Sequence, residues 1–353
     1  MGGTRTGRLI LTVGAVVVVG VLTGLIYLAF AESVDAIAQP MTTWVPRSDN
    51  AELVHGVYRL IFILAGIVFA AIMVLTLVVS ILYRERPGQL ARQFHGNSRL
   101  EVIWTLIPVL IVVAISVPTF SAMAATSKPA PDDALKVIAI GHQWWWEFQY
   151  PEQGITTANE LHLPVGRPVS ITLTSKDVIH SFWVPQLSGK TDNVPGHDNH
   201  LWFTPTEARP EPYLGQCAEF CGLSHANMRF RVFVSTQGDF DAWTKATAAP
   251  RTAPTADLAK AGEQQFVASG CVGCHAVQGQ AAAVGKIGPD LTHFASRTTL
   301  GSGIMDNNPD NLRRWLSDLD SVKPGTVMGE FLKGQPLSKD ALDKLVAYLE
   351  GLK

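Results

Sequence analysis

The stretch Gly215–Phe230, G-Q-C-A-E-F-C-G-L-S-H-A-N-M-R-F, carries Cys217, Cys221, His225 and Met228 within twelve residues. Two thiolates, an imidazole and a thioether are soft donors, a set that suits copper and disfavours magnesium or calcium. The spacing Cys-x3-Cys-x3-His-x2-Met is too compressed for four donors on one helix face, so it predicts a loop folded around a metal between two strands. Upstream, His180 in D-V-I-H-S-F-W-V-P offers a second imidazole among strand-like neighbours. Two cysteines, two histidines and a methionine exceed what one blue-copper ion needs. A pair of coppers bridged by both thiolates would use them all. Zinc or a disulfide is the plainer reading of two nearby cysteines, but a methionine at the last position argues against structural zinc.

The rest of the composition is shifted towards membrane proteins. The 353 residues suffice for two or three domains. Mean hydropathy is +0.18 and only 16% of residues are charged, both shifted towards membrane proteins. The net charge of -2 gives no basic face for nucleic acid. All four cysteines lie in two pairs, Cys217/Cys221 and Cys271/Cys274, so none remains for a structural disulfide.

Three apolar runs lie in the first third. Leu9 to Phe30 is uncharged, follows Arg5 and Arg8, and ends near Ala29-Phe30-Ala31, a small-x-small pattern. Residues 1–31 therefore read either as a cleaved signal peptide or as a first span. Val57 to Leu82 and Leu100 to Phe120 predict a transmembrane hairpin within residues 32–123, with a kink at Pro108. The loop between them carries Arg84, Arg86, Arg92 and Arg99, which places it in the cytoplasm and everything after Ala122 outside.

Residues 124–240 show short strand-like runs separated by Gly, Pro, Asn and Asp: Leu135 to Tyr150, Leu161 to Thr174, Ser181 to Pro185 and Met228 to Ser235. They predict a Greek-key β-sandwich. Within Trp144-Trp145-Trp146, alternation puts Trp144 and Trp146 on one face and Trp145 on the other. An Ala/Thr/Pro-rich linker over 241–257 separates this domain from residues 258–353. There Cys271-Val272-Gly273-Cys274-His275 has the c-type haem attachment pattern, with two thioether-forming cysteines and His275 as proximal ligand. Leu258 to Ser269, Asn308 to Leu319 and Ser338 to Leu349 predict helices of a small all-α cytochrome. Met328 and Met305 compete for the sixth iron position.

Together these motifs resemble subunit II of cytochrome c oxidase with a C-terminally fused class I cytochrome c, the caa3-type arrangement. The copper loop and the His180 segment are similar to that family's binuclear copper A signature. The resemblance implies a multidomain membrane protein: a transmembrane hairpin, a cupredoxin-like sandwich and the cytochrome domain. It implies copper A on His180, Cys217, Glu219 through its carbonyl, Cys221, His225 and Met228. It also implies a magnesium or manganese ion shared with subunit I through the Glu219 side chain. Lys323-Pro324-Gly325-Thr326-Val327-Met328 resembles the segment of the axial methionine, which favours Met328 over Met305. The tryptophan run resembles the aromatic region where an exposed tryptophan accepts electrons from cytochrome c, a role that falls on Trp144. Trp145 stands where the family usually has tyrosine. The segment His95 to Thr105 resembles the opening of a conserved helix, making Glu101 a candidate for proton uptake. Asp177, Lys190 and Asp192 resemble positions facing subunit I or the docking surface.

The implied function is an electron relay from a donor through haem c and copper A to haem a of subunit I. Oxygen is then reduced at the haem a3–copper B centre of that subunit, with proton pumping. Implied partners are subunits I and III and a donor that is a cytochrome c or a bc1-type complex, in a bacterial inner membrane. Only His55 and His95 of the ten histidines lie near a predicted span, so oxygen chemistry is not expected on this chain. Nitrous oxide reductase would need a large histidine-rich copper domain that is missing here. Quinol oxidase subunits usually lack the copper ligands. The alternative from another class is a stand-alone membrane-anchored haem c/copper carrier.

Overall fold

A computed structural model of the chain describes residues 12–20, 22–24, 41–83, 87–88 and 95–353. Of the segment 1–31, residues 12–20 and 22–24 are helical. Arg5, Arg8, the Ala29-Phe30-Ala31 pattern, Arg84, Arg86 and Arg92 lie outside the described residues. The chain divides into two units. One is residues 1–45 with 52–128, and the other is residues 46–51 with 129–353.

The first unit is dominated by two helices of membrane-spanning length and composition, Asp49–Leu82 and Ser98–Thr126. At about 1.5 Å per residue each exceeds the ~30 Å needed to cross hydrocarbon. Their apolar side chains, among them Phe69, Leu75, Leu110 and Val117, are exposed on the chain by itself, as lipid- or partner-facing residues must be. The second helix runs through Pro108 and Pro118. Asn97 caps it, its side-chain oxygen accepting from the Arg99 and Leu100 amides. Glu101 reaches back to accept from the Asn97 amide at 3.3 Å, completing a reciprocal cap.

In the second unit ten strands form two five-stranded sheets. They are β1 Leu135–His142, β2 Trp145–Tyr150, β3 Ile155–Ala158, β4 Glu160–Pro164, β5 Val169–Ser175, β6 His180–Trp183, β7 Thr191–Asn193, β8 Asn199–Phe203, β9 Tyr213–Cys217 and β10 Arg229–Ser235. The orders are β3-β2-β1-β5-β8 and β4-β10-β9-β6-β7. β1 runs parallel to β5 and β4 parallel to β10, while the remaining neighbours are antiparallel. This is the expected cupredoxin-like sandwich. Alternate residues such as Val169, Ile171 and Leu173 point into a core filled by Trp146, Phe148, Phe182 and Phe230. Leu135 to Tyr150 and Leu161 to Thr174, each expected as one strand, are both split in two by a turn. The first turn falls at Gln143-Trp144, so Trp144 is not a strand residue.

The expected linker is shorter than 241–257. A helix covers Gln237–Ala248, capped by Thr236, whose hydroxyl accepts from the Asp239 amide. Alanines favour helix there, and Phe240 and Trp243 seal the end of the sandwich against Tyr150 and His162. After residues 249–256, helices Asp257–Ala268, Pro309–Ser317, Leu319–Val322, Val327–Gly334 and Lys339–Leu349 build the all-α domain. The first and last of these cross tightly. A Cβ on Gly262 would lie 2.0 Å from the Lys344 carbonyl.

Candidate functional site

The copper-loop residues come together between β9 and β10. Cys217 ends β9, the turn His225–Asn227 folds the loop back, and Met228 precedes β10. Cys217 N–H donates to the Met228 carbonyl at 2.9 Å, closing the base of the loop. His180 reaches the same point from β6, which pairs with β9. The two sulfurs are 3.8 Å apart and unbonded. His180 Nδ1 lies 3.9 Å from Cys217 Sγ, and His225 Nδ1 lies 3.4 Å from Cys221 Sγ. Met228 Sδ is 3.8 Å from Cys221 Sγ, and the Glu219 carbonyl is 3.2 Å from Cys217 Sγ. A thiolate pair flanked by one imidazole on each sulfur suits two soft ions sharing both sulfurs. His180, Cys217, Cys221 and Met228 are all buried.

The surroundings set the protonation that such ions need. His180 Nε2–H donates to Asp177 Oδ1 at 2.7 Å, which leaves Nδ1 as the free donor atom. Asp177 is anchored in turn by the Gln143 and Val178 amides. Burial raises its carboxyl, but these hydrogen bonds outweigh burial and hold it below its ordinary value. The hydrogen bond from Cys221, with that from His180, holds the Cys217 thiol below its ordinary value. Gly141 is required beside His180, because a Cβ there would lie 2.5 Å from the imidazole.

The second site is a largely apolar cavity lined by Cys271, Cys274, His275 and Met328. His275 Nδ1–H donates to the Pro289 carbonyl at 2.8 Å, leaving Nε2 to ligate. Burial lowers the His275 pKa and keeps the imidazole neutral. Gly288 lies over the ring, where a Cβ would approach to 2.5 Å. Walls such as Phe266, Leu312 and Leu345 suit a flat apolar macrocycle. Met305 packs against the domain core but does not line the cavity.

Two adjacent residues, Gln143 and Trp144, link the two sites. Trp144 lines the haem cavity, and its indole N–H donates to the Cys221 carbonyl at 2.9 Å. Gln143 lines the same cavity, and its side-chain amide donates to that carbonyl at 2.7 Å. Trp144 is 7% exposed. The cytochrome domain covers the tryptophan that sequence reasoning expected on an open surface. Trp145 stacks on His142 instead, with rings 4.1 Å apart.

Other expected residues lie elsewhere. The Glu219 side chain is exposed beside exposed Phe220. Lys190 is exposed in the turn before β7, and exposed Asp192 pairs with Ser181 next to His180. Glu101 belongs to the other unit. Sequence reasoning gave no role to Gln143, Glu160 or Lys323, although Lys323 opens the segment that resembles the one carrying the axial methionine.

Three family profiles match the chain. They are cytochrome c oxidase subunit II, transmembrane domain, over residues 46–122; cytochrome c oxidase subunit II, periplasmic domain, over 153–235; and cytochrome c over 259–353. A cytochrome c oxidase subunit 2 of Alkalihalophilus pseudofirmus is 37% identical over 320 residues, covering 89% of this chain and 91% of that protein. The chain belongs to the cytochrome c oxidase subunit II family. It is a subunit II with a fused cytochrome c domain, as in caa3-type oxidases, and the two domains imply copper A and haem c. The cytochrome c oxidase subunit 2 of Bacillus subtilis is similar, 36% identical over 287 residues, 76% of this chain and 80% of that protein. A quinol oxidase subunit 2 of Bacillus cereus is also 36% identical, over 60% of this chain and 73% of its own.

Proposed function

We propose that this subunit II relays single electrons from a donor through haem c and copper A to haem a of subunit I, where oxygen is reduced with proton pumping. The observation that carries the reading is the double role of Trp144. It walls the haem cavity and hydrogen-bonds the backbone of a copper ligand. Cys217, Cys221, His180, His225, Met228 and the Glu219 carbonyl hold copper A. Cys271 and Cys274 tether haem c, and His275 and Met328 ligate its iron. A sandwich core with buried ligands moves little on a change of charge, which lowers reorganisation.

The remaining residues act at boundaries. The Glu219 side chain, exposed next to the copper loop, supplies a carboxylate for a magnesium or manganese ion at subunit I. Asp177, Lys190 and Asp192 lie on the surface around His180 and face that subunit. Glu101, at the cytoplasmic end of its helix, lies at a proton uptake point. Subunit III and a cytochrome c or bc1-type donor complete the assembly in a bacterial inner membrane, with the copper and haem domains on the periplasmic side.

Purification of the native complex tests this. Oxygen uptake, haem a absorbance and two coppers on this chain are the expected outcome. A chain that purifies by itself with haem c and without subunit I would make it a stand-alone carrier.

A further inference from the structure

Two buried, oppositely ionisable side chains cross between the copper and haem domains, and neither belongs to a ligand set. Glu160, at the start of β4, is 3% exposed. Its Oε1 accepts from Thr298 N at 2.7 Å, Thr298 Oγ1 at 2.6 Å and Thr299 N at 3.2 Å. Lys323, from the haem domain, is also 3% exposed. Its Nζ donates to the Trp144 carbonyl at 2.5 Å, the Gly301 carbonyl at 3.0 Å and Ser302 Oγ at 2.8 Å. Ser302 Oγ donates to the same Trp144 carbonyl at 2.9 Å.

Burial raises the Glu160 carboxyl and pulls the Lys323 ammonium down to about 7, so each group stays inside only because its partners satisfy it. Around them the surfaces interlock. Ser224 Oγ, four residues before Met228, donates to the Pro324 carbonyl at 2.6 Å. A Cβ on Gly325 would lie 3.0 Å from Leu223 and 3.2 Å from Trp144. The segment from Lys323 to Gly325 thus seats on the copper loop and on Trp144, just before the helix that carries Met328.

We propose that Glu160 and Lys323 are positioning residues that clamp the haem domain onto Trp144, keeping the haem cavity walled by the copper domain and Trp144 closed to outside electron donors. The proposal rests on the relay reading. In the clamped arrangement a donor meets the haem domain first, and the covalent linker alone does not set the approach of the two cofactors. Removing one partner of a buried charged hydrogen-bond group speeds dissociation of the surfaces it joins.

The test uses the purified oxidase complex with a protease site placed at residues 252–255, which are partly or fully exposed. After cleavage the wild-type haem domain stays with the complex through gel filtration. Glu160→Ala and Lys323→Met release it at least about tenfold faster, and Glu160→Gln, which keeps an acceptor, falls between. Hydrogen exchange at Thr298, Thr299 and residues 143–146 rises in the same order. Because Lys323 also bonds within its own domain, Glu160→Ala on the other domain is the decisive variant. Prompt loss of the wild-type domain after cleavage, or wild-type retention in Glu160→Ala, overturns the clamp. The haem c and copper A spectra of the same samples report on the relay reading separately, and domain retention decides the clamp whatever they show.

Discussion

The copper loop and the haem cavity are built by opposite strategies. At the copper loop the five soft-donor side chains His180, Cys217, Cys221, His225 and Met228 converge. Their sulfur–sulfur and sulfur–nitrogen separations run from 3.4 to 3.9 Å. Strands β6, β9 and β10 deliver them from a rigid core. At the haem site Cys271, Cys274 and His275 are contiguous, Met328 arrives on a separate helix, and part of the wall belongs to another domain. A small ion pair needs converging donors and little else. A macrocycle needs a large apolar enclosure, and this chain completes that enclosure only by docking two domains. One site is preorganised by its own fold, and the other depends on an interface.

The largest break in that comparison comes from Cys221, proposed to bridge the two coppers. Cys221→Ser should abolish the near-infrared copper A band and both coppers while leaving covalent haem c intact. Steady-state oxygen uptake should fall by more than about 100-fold, in line with removal of an essential ligand. Loss of haem c together with copper would show that the two sites do not form independently.

Next in size is Met328, the proposed axial ligand. Met328→Ala should shift the haem c absorption spectrum and lower its potential, with the copper band unchanged. Met305→Leu should leave both spectra unaltered, because Met305 packs outside the cavity. The reverse pattern, read by absorption spectroscopy of the two variants, would exchange their roles.

The smallest expected change sharpens the account of preorganisation. Asp177→Asn keeps the size of the group that orients His180 but removes its charge. Copper retention against a chelator should weaken by about 10–100-fold, with no change at the haem. If copper is held as tightly as in wild type, the strand framework positions His180 without help from Asp177.

Much of the site was legible because the chemistry is local. Cys-x3-Cys-x3-His-x2-Met and Cys-x-x-Cys-His each gather several donors into one short segment. The hairpin spans were legible from length and apolar composition. The tryptophan run was read less well. Period-two alternation assumes a continuous strand, and the turn at Gln143-Trp144 interrupts it, although Trp144 and Trp146 still end up buried and Trp145 partly exposed. The linker was overextended because an Ala/Thr segment has no hydrophobic stripe to announce the helix Gln237–Ala248. Phe240 and Trp243 hold that helix by long-range packing.

By itself, then, the amino-acid sequence determined which donors are present, how they are grouped, and that two long apolar helices precede them. Tertiary structure alone decided what covers what. Glu160 meets Thr298 across 138 residues, and Lys323 meets Trp144 across 179. No local pattern marks a carboxylate or an ammonium for burial, since each finds its partners in distant turns, at least one of them in another domain. Burial of such a group becomes tolerable only after those turns are folded and docked.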